Sequence, residues 1–291
     1  MKIDLHIHSK SCSDGKWSLP EIIQAAHERG LNLISITDHD SIECQESAEA
    51  LTERSGMRYI TGLELNISFS HPRYRDSKPV PLDVLAYDYD PFNSALDQKI
   101  IDLRQFRKSR AEKILEKINQ ELTKKRYAPL THTDLEEIEA TVDGAFGRPH
   151  IANHLVKKGL VSSRQEAFDS YLVKCDVPKM PVSLKEASEL IRGAGGKIIL
   201  AHPNDPNGTS LASLTPSLLE QLEIIRNMLP YLDGLECWHS RHDRETVLTY
   251  TKFAAEEGLM VTGGSDCHQQ PVIMGTVSVP AFVAEQFHPD A

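Results

Sequence analysis

The stretch Asp4-Leu5-His6-Ile7-His8 places two imidazoles two positions apart, and in a β-strand that spacing puts both on one face. Further acids and imidazoles recur along the chain in short polar signatures. Asp14 lies in SDG, His39 in TDHD between Asp38 and Asp40, Glu64 in GLEL and Asp83 in LDVLAY. His202 lies in AHP, Glu236, His239 and His242 in ECWHSRH, and Asp266 and His268 in GSDCH. Any one of these, taken alone, is most simply a cap or a polar residue satisfied by its neighbours. The set His6, His8, His39, His202 and His268 with Asp14, Glu64, Asp83 and Asp266 is different. Brought to one rim, these groups would repel or stay unpaired unless positive charge sat among them. Imidazole and carboxylate suit zinc, manganese and iron, and nine ligands are too many for one ion. Two or three divalent ions sharing a bridging carboxylate is the simplest arrangement that uses them.

The elements that must position these residues alternate between strand and helix. Ile3, Leu5 and Ile7 alternate with polar residues and read as a half-buried strand. Ser18 and Pro20 open a helix that Gly30 stops, and LNLISIT (31–37) reads as a buried strand followed by a helix through about Arg54. MRYITGLELNISF (57–69) and VPLDVLAYDY (80–89) give two more strands, with His71 in the loop between them. KIILAH, DGLECWH and LMVTGGSDCH supply three further strands, separated by helices at about Pro216–Asn227 and Asp243–Glu257. Seven strands alternating with helices predict a parallel α/β barrel or open sheet, and almost every strand would deliver an acid or imidazole at its C-terminal end, where such folds build sites. Residues 91–181 break the rhythm with a long amphipathic helix and shorter ones near Thr133–Ala140, Pro149–Lys158 and from Ser163. That segment reads as an all-helical insertion, leaving residues 1–90 and 182–291 as the halves of one α/β domain.

Composition narrows the class. With 40% hydrophobic and 25% charged residues, the 291-residue chain can bury a full core. No apolar run approaches the roughly 20 residues of a membrane span, so no membrane association is expected. The first residues do not read as a signal peptide. The five cysteines, Cys12, Cys44, Cys175, Cys237 and Cys267, are odd in number and form no C-x-x-C pair. They read as reduced thiols in a cytoplasmic protein. A net charge of −10 argues against coating long duplex nucleic acid. Between Gln98 and Arg126, however, ten basic residues face four acidic ones, a surface able to attract a phosphorylated ligand.

HIHS, SDG, TDHD, GLE, AHP and GSDCH, in this order and spacing, resemble the PHP (polymerase and histidinol phosphatase) family of metal-dependent phosphoesterases. The insertion with GRPHIANHLV and R-x-x-R-A (Arg107, Arg110, Ala111) resembles its TrpH-like branch of nucleotide phosphatases and 5′-to-3′ RNA-trimming enzymes. The resemblance implies a distorted (β/α)7 barrel with an inserted helical subdomain and a trinuclear site. His6, His8, Glu64 and Asp266 would hold a first ion. Glu64 would bridge to a second, completed by Asp83 and His202, and Asp14, His39 and His268 would hold a third. Asp83 departs from the family's usual histidine; its hard oxygen favours Mn or Fe over Zn, and His71 is an alternative ligand.

The chemistry implied is phosphate-ester hydrolysis through a metal-activated hydroxide, with Glu64, His202 and Arg148 as catalytic residues. Arg148, His150, His242, Arg107 and Arg110 are candidates for gripping phosphate oxygens, since a guanidinium fork fits them bidentately. Expected substrates are nucleoside 3′,5′-bisphosphates or the 5′ ends of short oligoribonucleotides. A histidinol-phosphate-type phosphatase, or a non-enzymatic nucleotide-sensing domain, are the rival readings.

Overall fold

The computed structural model describes residues 1–139, 141, 147–178 and 180–287. Its first strand, β1 (Ile3–Ile7), is buried at every residue, so the alternation in DLHIH reflects two covered faces, one apolar and one polar. β1 pairs in parallel with β2 (Leu33–Ile36), and β2 with the short β3 (Arg58–Tyr59), giving a three-stranded sheet. The run expected as one strand over 57–69 divides, and its second part is β4 (Gly62–Phe69).

β4 opens a second sheet of order β4-β5-β6-β7-β8, with β5 at Val80–Tyr87, β6 at Lys197–Leu200, β7 at Gly234–His239 and β8 at Met260–Gly264. β5 runs antiparallel to both β4 and β6, while β6, β7 and β8 are parallel. The all-parallel expectation is thereby corrected. The loop from 70 to 79 is too short for a crossover helix, and a short polar connection between two strands makes an antiparallel pair. Isolated parallel bridges, Ile7 with Cys267 and His39 with Glu64, connect the two sheets at two places, β1 to the chain beyond β8 and the chain beyond β2 to β4.

Helices flank these strands. α1 (Leu19–Glu28) begins where the Ser18 N–H donates to the Glu21 carboxylate at 2.8 Å, and it buries Leu19, Ile22, Ile23 and Ala26. Gly30, at φ 70°, turns the chain after it. α2 (Gln45–Arg54) follows β2. α3 (Ser94–Lys124), α4 (His132–Glu139), α5 (Arg148–Lys157) and α6 (Arg164–Ala167) follow β5, and α7 (Leu184–Gly193) precedes β6. Ala140, the last residue of one expected helix, lies outside the described residues. α8 (Leu218–Met228) and α9 (Arg244–Glu257) alternate with the last strands, α9 capped by the Asp243 side chain, which accepts from the Thr246 N–H.

The chain separates into two compact units, Met1–Gln98 with Pro181–Ala291, and Lys99–Met180. The first carries both sheets. The second contains no strand among its described residues and packs Ile114, Ile118, Leu122, Ile138, Ile151 and Leu155 into its own core. Among the described residues, no helix is long and apolar enough to cross a membrane.

One expectation from composition fails. Cys12 and Cys44 form a disulfide, leaving Cys175, Cys237 and Cys267 as free thiols, all buried. The pair lies 32 positions apart in sequence, and the parallel pairing of β1 with β2 brings their two following loops together.

Candidate metal centre

Three features of β1 and its neighbours build the centre. Asp4, His6 and His8 share the polar face of β1. The Asp4 carboxylate accepts from the Ser265 N–H (2.8 Å) and hydroxyl (2.6 Å) and from the Gly275 N–H (2.7 Å), tying β1 to the chain beyond β8. Gly264 permits this approach, since a Cβ there would lie 2.3 Å from the His6 Cβ. Asp266 and His202 then leave their strands with φ of 55° and 26°, a left-handed conformation that favours glycine and costs roughly 1–3 kcal/mol per residue. Such strain persists where surrounding contacts impose it. The His202 N–H donates to Glu236 at 2.7 Å.

At the middle of the cluster, His6 Nε2 lies 3.5 Å from both Glu64 Oε2 and Asp266 Oδ1, and His8 Nε2 lies 3.2 Å from the same two oxygens. His6, His8 and Asp266 form one group whose possible ligand atoms lie within 4.8 Å of one another, and His6, Glu64 and His202 form a second. His6 Nε2, His8 Nε2 and Glu64 Oε2 are buried without a hydrogen-bond partner. Buried polar atoms are ordinarily satisfied, so orphans aimed at one point mark a place for a cation. On its other side, His6 Nδ1 contacts Glu236 at 2.9 Å, which orients the ring.

The remaining candidates surround this cage. His202 Nε2 is 2.9 Å from Glu64 Oε1 and 3.9 Å from Asp83 Oδ2, while the other Asp83 oxygen accepts from Asn66 at 2.6 Å. His71 is directed elsewhere: its Nδ1 accepts from the Arg73 N–H, and its Nε2 faces Asn227 at 3.5 Å. Asp14 Oδ1 lies 3.1 Å from His268 Nε2 and 3.9 Å from His39 Nε2, and these three with His8 could hold an ion at a more open position. His39 Nδ1 is 3.0 Å from Glu64 Oε2. Glu64 thus lies within 3.5 Å of nitrogens of His6, His8, His39 and His202, and as the third residue of β4 it reaches them from near a strand's beginning rather than its end.

Protonation reports the same excess of negative charge. Burial disfavours a charged His8, yet Asp266 and Glu64 raise its pKa to about 10. Burial likewise opposes a charged His202, and Glu64 overrides it to give about 9. Burial, and then Glu64, push the Asp83 carboxyl up. The carboxylates draw protons onto imidazoles; a divalent cation would satisfy both partners at once.

Several participants went unselected in the sequence. Glu236 contacts His6 and the His202 backbone, and Asp38 accepts from the Ser9 N–H and hydroxyl at 2.6 Å each. His239 Nε2 is buried and unpartnered, 3.6 Å from Asp266 Oδ2. Both Glu236 and His239 stand in ECWHSRH, so the signal was present; what was missing was the inward direction of their side chains.

Candidates for phosphate binding divide differently. His242 contacts the Cys237 carbonyl through Nδ1 (3.0 Å) and accepts the Asn204 N–H through Nε2 (3.3 Å), and burial lowers its pKa to about 4. Both nitrogens are engaged by backbone, a neutral ring that fixes local structure. In the helical unit, Arg110 and Arg148 each donate to one oxygen of Asp176, at 2.5 and 2.8 Å. His150 Nδ1 accepts the Gly147 N–H at the start of α5, and Arg107 lies one turn before Arg110 on α3.

A sequence profile of the PHP domain matches residues 4–173. A 5′-3′ exoribonuclease of Haemophilus influenzae is 27% identical over 277 residues, spanning 92% of this chain and 90% of the relative. A 3′,5′-nucleoside bisphosphate phosphatase of Chromobacterium violaceum is also 27% identical, over 278 residues, spanning 91% and 87%. Among solved structures, a presumptive metal-dependent phosphoesterase from Bifidobacterium adolescentis superposes with a TM-score of 0.76 at 28% identity, covering 98% of this chain and 94% of the other.

Proposed function

The chain belongs to the PHP domain family of metal-dependent phosphoesterases, hydrolases of phosphoester bonds, and on that premise we propose that it hydrolyses phosphate esters of nucleotides, as a nucleoside 3′,5′-bisphosphate phosphatase or a 5′-3′ exonuclease on short oligoribonucleotides. The observation that carries this reading is the convergence of unpaired His6 Nε2, His8 Nε2 and Glu64 Oε2 on one point. In this reading the two sheets are one distorted (β/α)7 barrel, residues 1–90 and 182–291, with 91–181 as a helical insertion. The bridges between the two sheets at Ile7 and His39 support it.

His6, His8, Glu64 and Asp266 would hold one ion, Glu64 with Asp83 and His202 a second, and Asp14, His39 and His268 a third. Mn or Fe is favoured by the oxygen-rich second position. Bound divalent ions supply an acidified water and polarise the phosphoryl oxygens. The protein's own contribution is orientation and exclusion. Glu236 fixes the His6 ring so that Nε2 faces inward, and Asp4 fixes the backbone of the Asp266 loop. The fully covered His6, His8 and Glu64 exclude water from one side of the reacting phosphate, which strengthens electrostatic interactions there. Arg110 and Arg148, which share Asp176, are read as phosphate-binding residues, since a guanidinium fork suits phosphate oxygens.

The test is phosphate release from adenosine 3′,5′-bisphosphate, AMP, a 5′-phosphorylated trinucleotide and p-nitrophenyl phosphate, after reconstitution with Mn. Preference for the bisphosphate or trinucleotide by tenfold or more in kcat/KM supports the reading. Comparable turnover of every ester would overturn the nucleotide assignment.

A further inference from the structure

We infer that the Cys12–Cys44 pair is a thiol–disulfide modification site that sets how tightly the outer metal position is held. The inference rests on reading Asp14, His39 and His268 as ligands. Cys12 lies between β1 and α1, two residues before Asp14. Cys44 lies between β2 and α2, five residues after His39. The bond therefore joins the two loops that deliver two of the three ligands not already used by the inner cage.

The outer position is where such a brace matters. The side chains of Asp14, His39 and His268 are 46%, 28% and 32% exposed, against 0–1% for His6, His8 and Glu64. His6 and Glu64 are fixed by strands and, like His8, by full burial, whereas Asp14 stands in a loop. Among the described contacts, the loop pair is otherwise joined by hydrogen bonds, from the Ser9 N–H and hydroxyl to Asp38 and from the His39 N–H to the Ser13 hydroxyl. A covalent bridge across a 32-residue separation removes much of the freedom that an open loop pair would have. Gly15 adds a constraint on the same loop, since a Cβ there would fall 2.4 Å from the His8 carbonyl oxygen.

The modifying reagent is a dithiol reductant of the small-protein or low-molecular-weight class. One of its thiolates attacks a cysteine sulfur, the Cys12–Cys44 bond breaks, and a mixed disulfide forms. The reductant's second thiol then displaces the remaining protein thiol. Two electrons and two protons pass to the protein, which gains two thiols, and the reductant leaves as its cyclic disulfide. Cys12 and Cys44 are each 6% exposed and adjoin the exposed residues Ser11 and Glu43.

The test uses the full chain loaded with Mn, with or without prior dithiothreitol, and a thiol count on denatured samples. Three thiols before and five after treatment establish the conversion. Each form is then passed over a weak chelator and its metal content followed with time. The expected result is that the reduced protein loses one metal equivalent at least tenfold faster than the oxidised one, while the more tightly held metal is retained equally. Cys12→Ser/Cys44→Ser should behave as the reduced protein whether or not dithiothreitol is added. Equal retention by oxidised and reduced protein overturns the inference and leaves the metal reading standing. Five thiols that persist after a mild oxidant overturn it as well. Binding of no metal in either form overturns the metal reading itself, and this inference with it.

Discussion

Two buried histidine–carboxylate clusters in this protein use the same chemistry toward opposite ends. In the helical unit, His154 Nε2 contacts Asp134 Oδ1 at 3.0 Å, and Lys158 reaches the same oxygen at 2.5 Å. Thr131 donates to the other oxygen through its N–H and its hydroxyl, at 2.7 and 2.9 Å. The Asp134 carboxylate is satisfied by the protein alone. At the sheet ends, His6, His8 and Glu64 are more deeply buried yet keep atoms without partners. Residue type does not separate a structural cluster from a functional one. What separates them is whether the protein itself satisfies the polar atoms it has buried, because an unsatisfied one costs about 1–3 kcal/mol or more if charged.

The largest effect should come from Glu64. Glu64→Gln removes the carboxylate that contacts His6, His8, His39 and His202, and turnover should fall at least about a thousandfold, roughly 4 kcal/mol. Circular dichroism should be unchanged, and metal content measured after desalting should drop. A variant that keeps both metal and activity would break the comparison, since the orphaned atoms would then have no ligand to explain them.

Asp134→Ala is the matching change on the other side. Removing the Asp134 carboxylate leaves buried His154 without its partner, a cost of about 1–3 kcal/mol, read as a lowered urea midpoint with metal content unaltered. The pKa of Asp134 is held low despite burial, chiefly by Lys158. A carboxyl with a depressed folded pKa contributes stability above its unfolded value of about 4 and loses it as pH falls below that. Wild-type protein should therefore lose stability below about pH 4 more steeply than Asp134→Ala does.

Asp83→Ala sharpens the comparison within the centre. Asp83 is farther from His202 than the edges of the inner cage, so its removal should lower affinity for one metal equivalent and turnover by roughly 10–100-fold. Asp83→His should retain binding while shifting preference toward zinc, as measured by competition between Mn and Zn. If Asp83→Ala leaves metal content intact, the centre ends at the cage and the outer position.

Arg148→Ala should have the smallest effect. Arg148 is about one-third exposed and shares Asp176 with Arg110, so solvent screening limits its worth to about 1 kcal/mol, roughly a fivefold loss in kcat/KM. That loss should appear with a nucleoside bisphosphate and be absent with p-nitrophenyl phosphate. Equal losses on both substrates would assign Arg148 to the reacting phosphate.

Much of this was legible in the residues themselves. Periodicity located most strands, Ser18 and Asp243 marked helix starts, and the acids and imidazoles that could bind metal stood in short signatures. These features depend on near neighbours along the chain, where the physics is local. The antiparallel course of β5 was partly legible too, in the short loop before it. The remaining features were decided by contacts between distant segments. Glu236 and His239 look no different in sequence from solvated residues until β7 turns them inward. His242, a plausible phosphate ligand by type, is tied up by two backbone groups that only the folded loop supplies. Cys12 and Cys44 carry no spacing signal, because disulfide geometry depends on where two loops lie and not on how many residues separate them. The sequence determined which groups were available to bind a cation. Tertiary structure decided which of them were left unsatisfied, since hydrogen-bond satisfaction belongs to the assembled fold and to no segment of it.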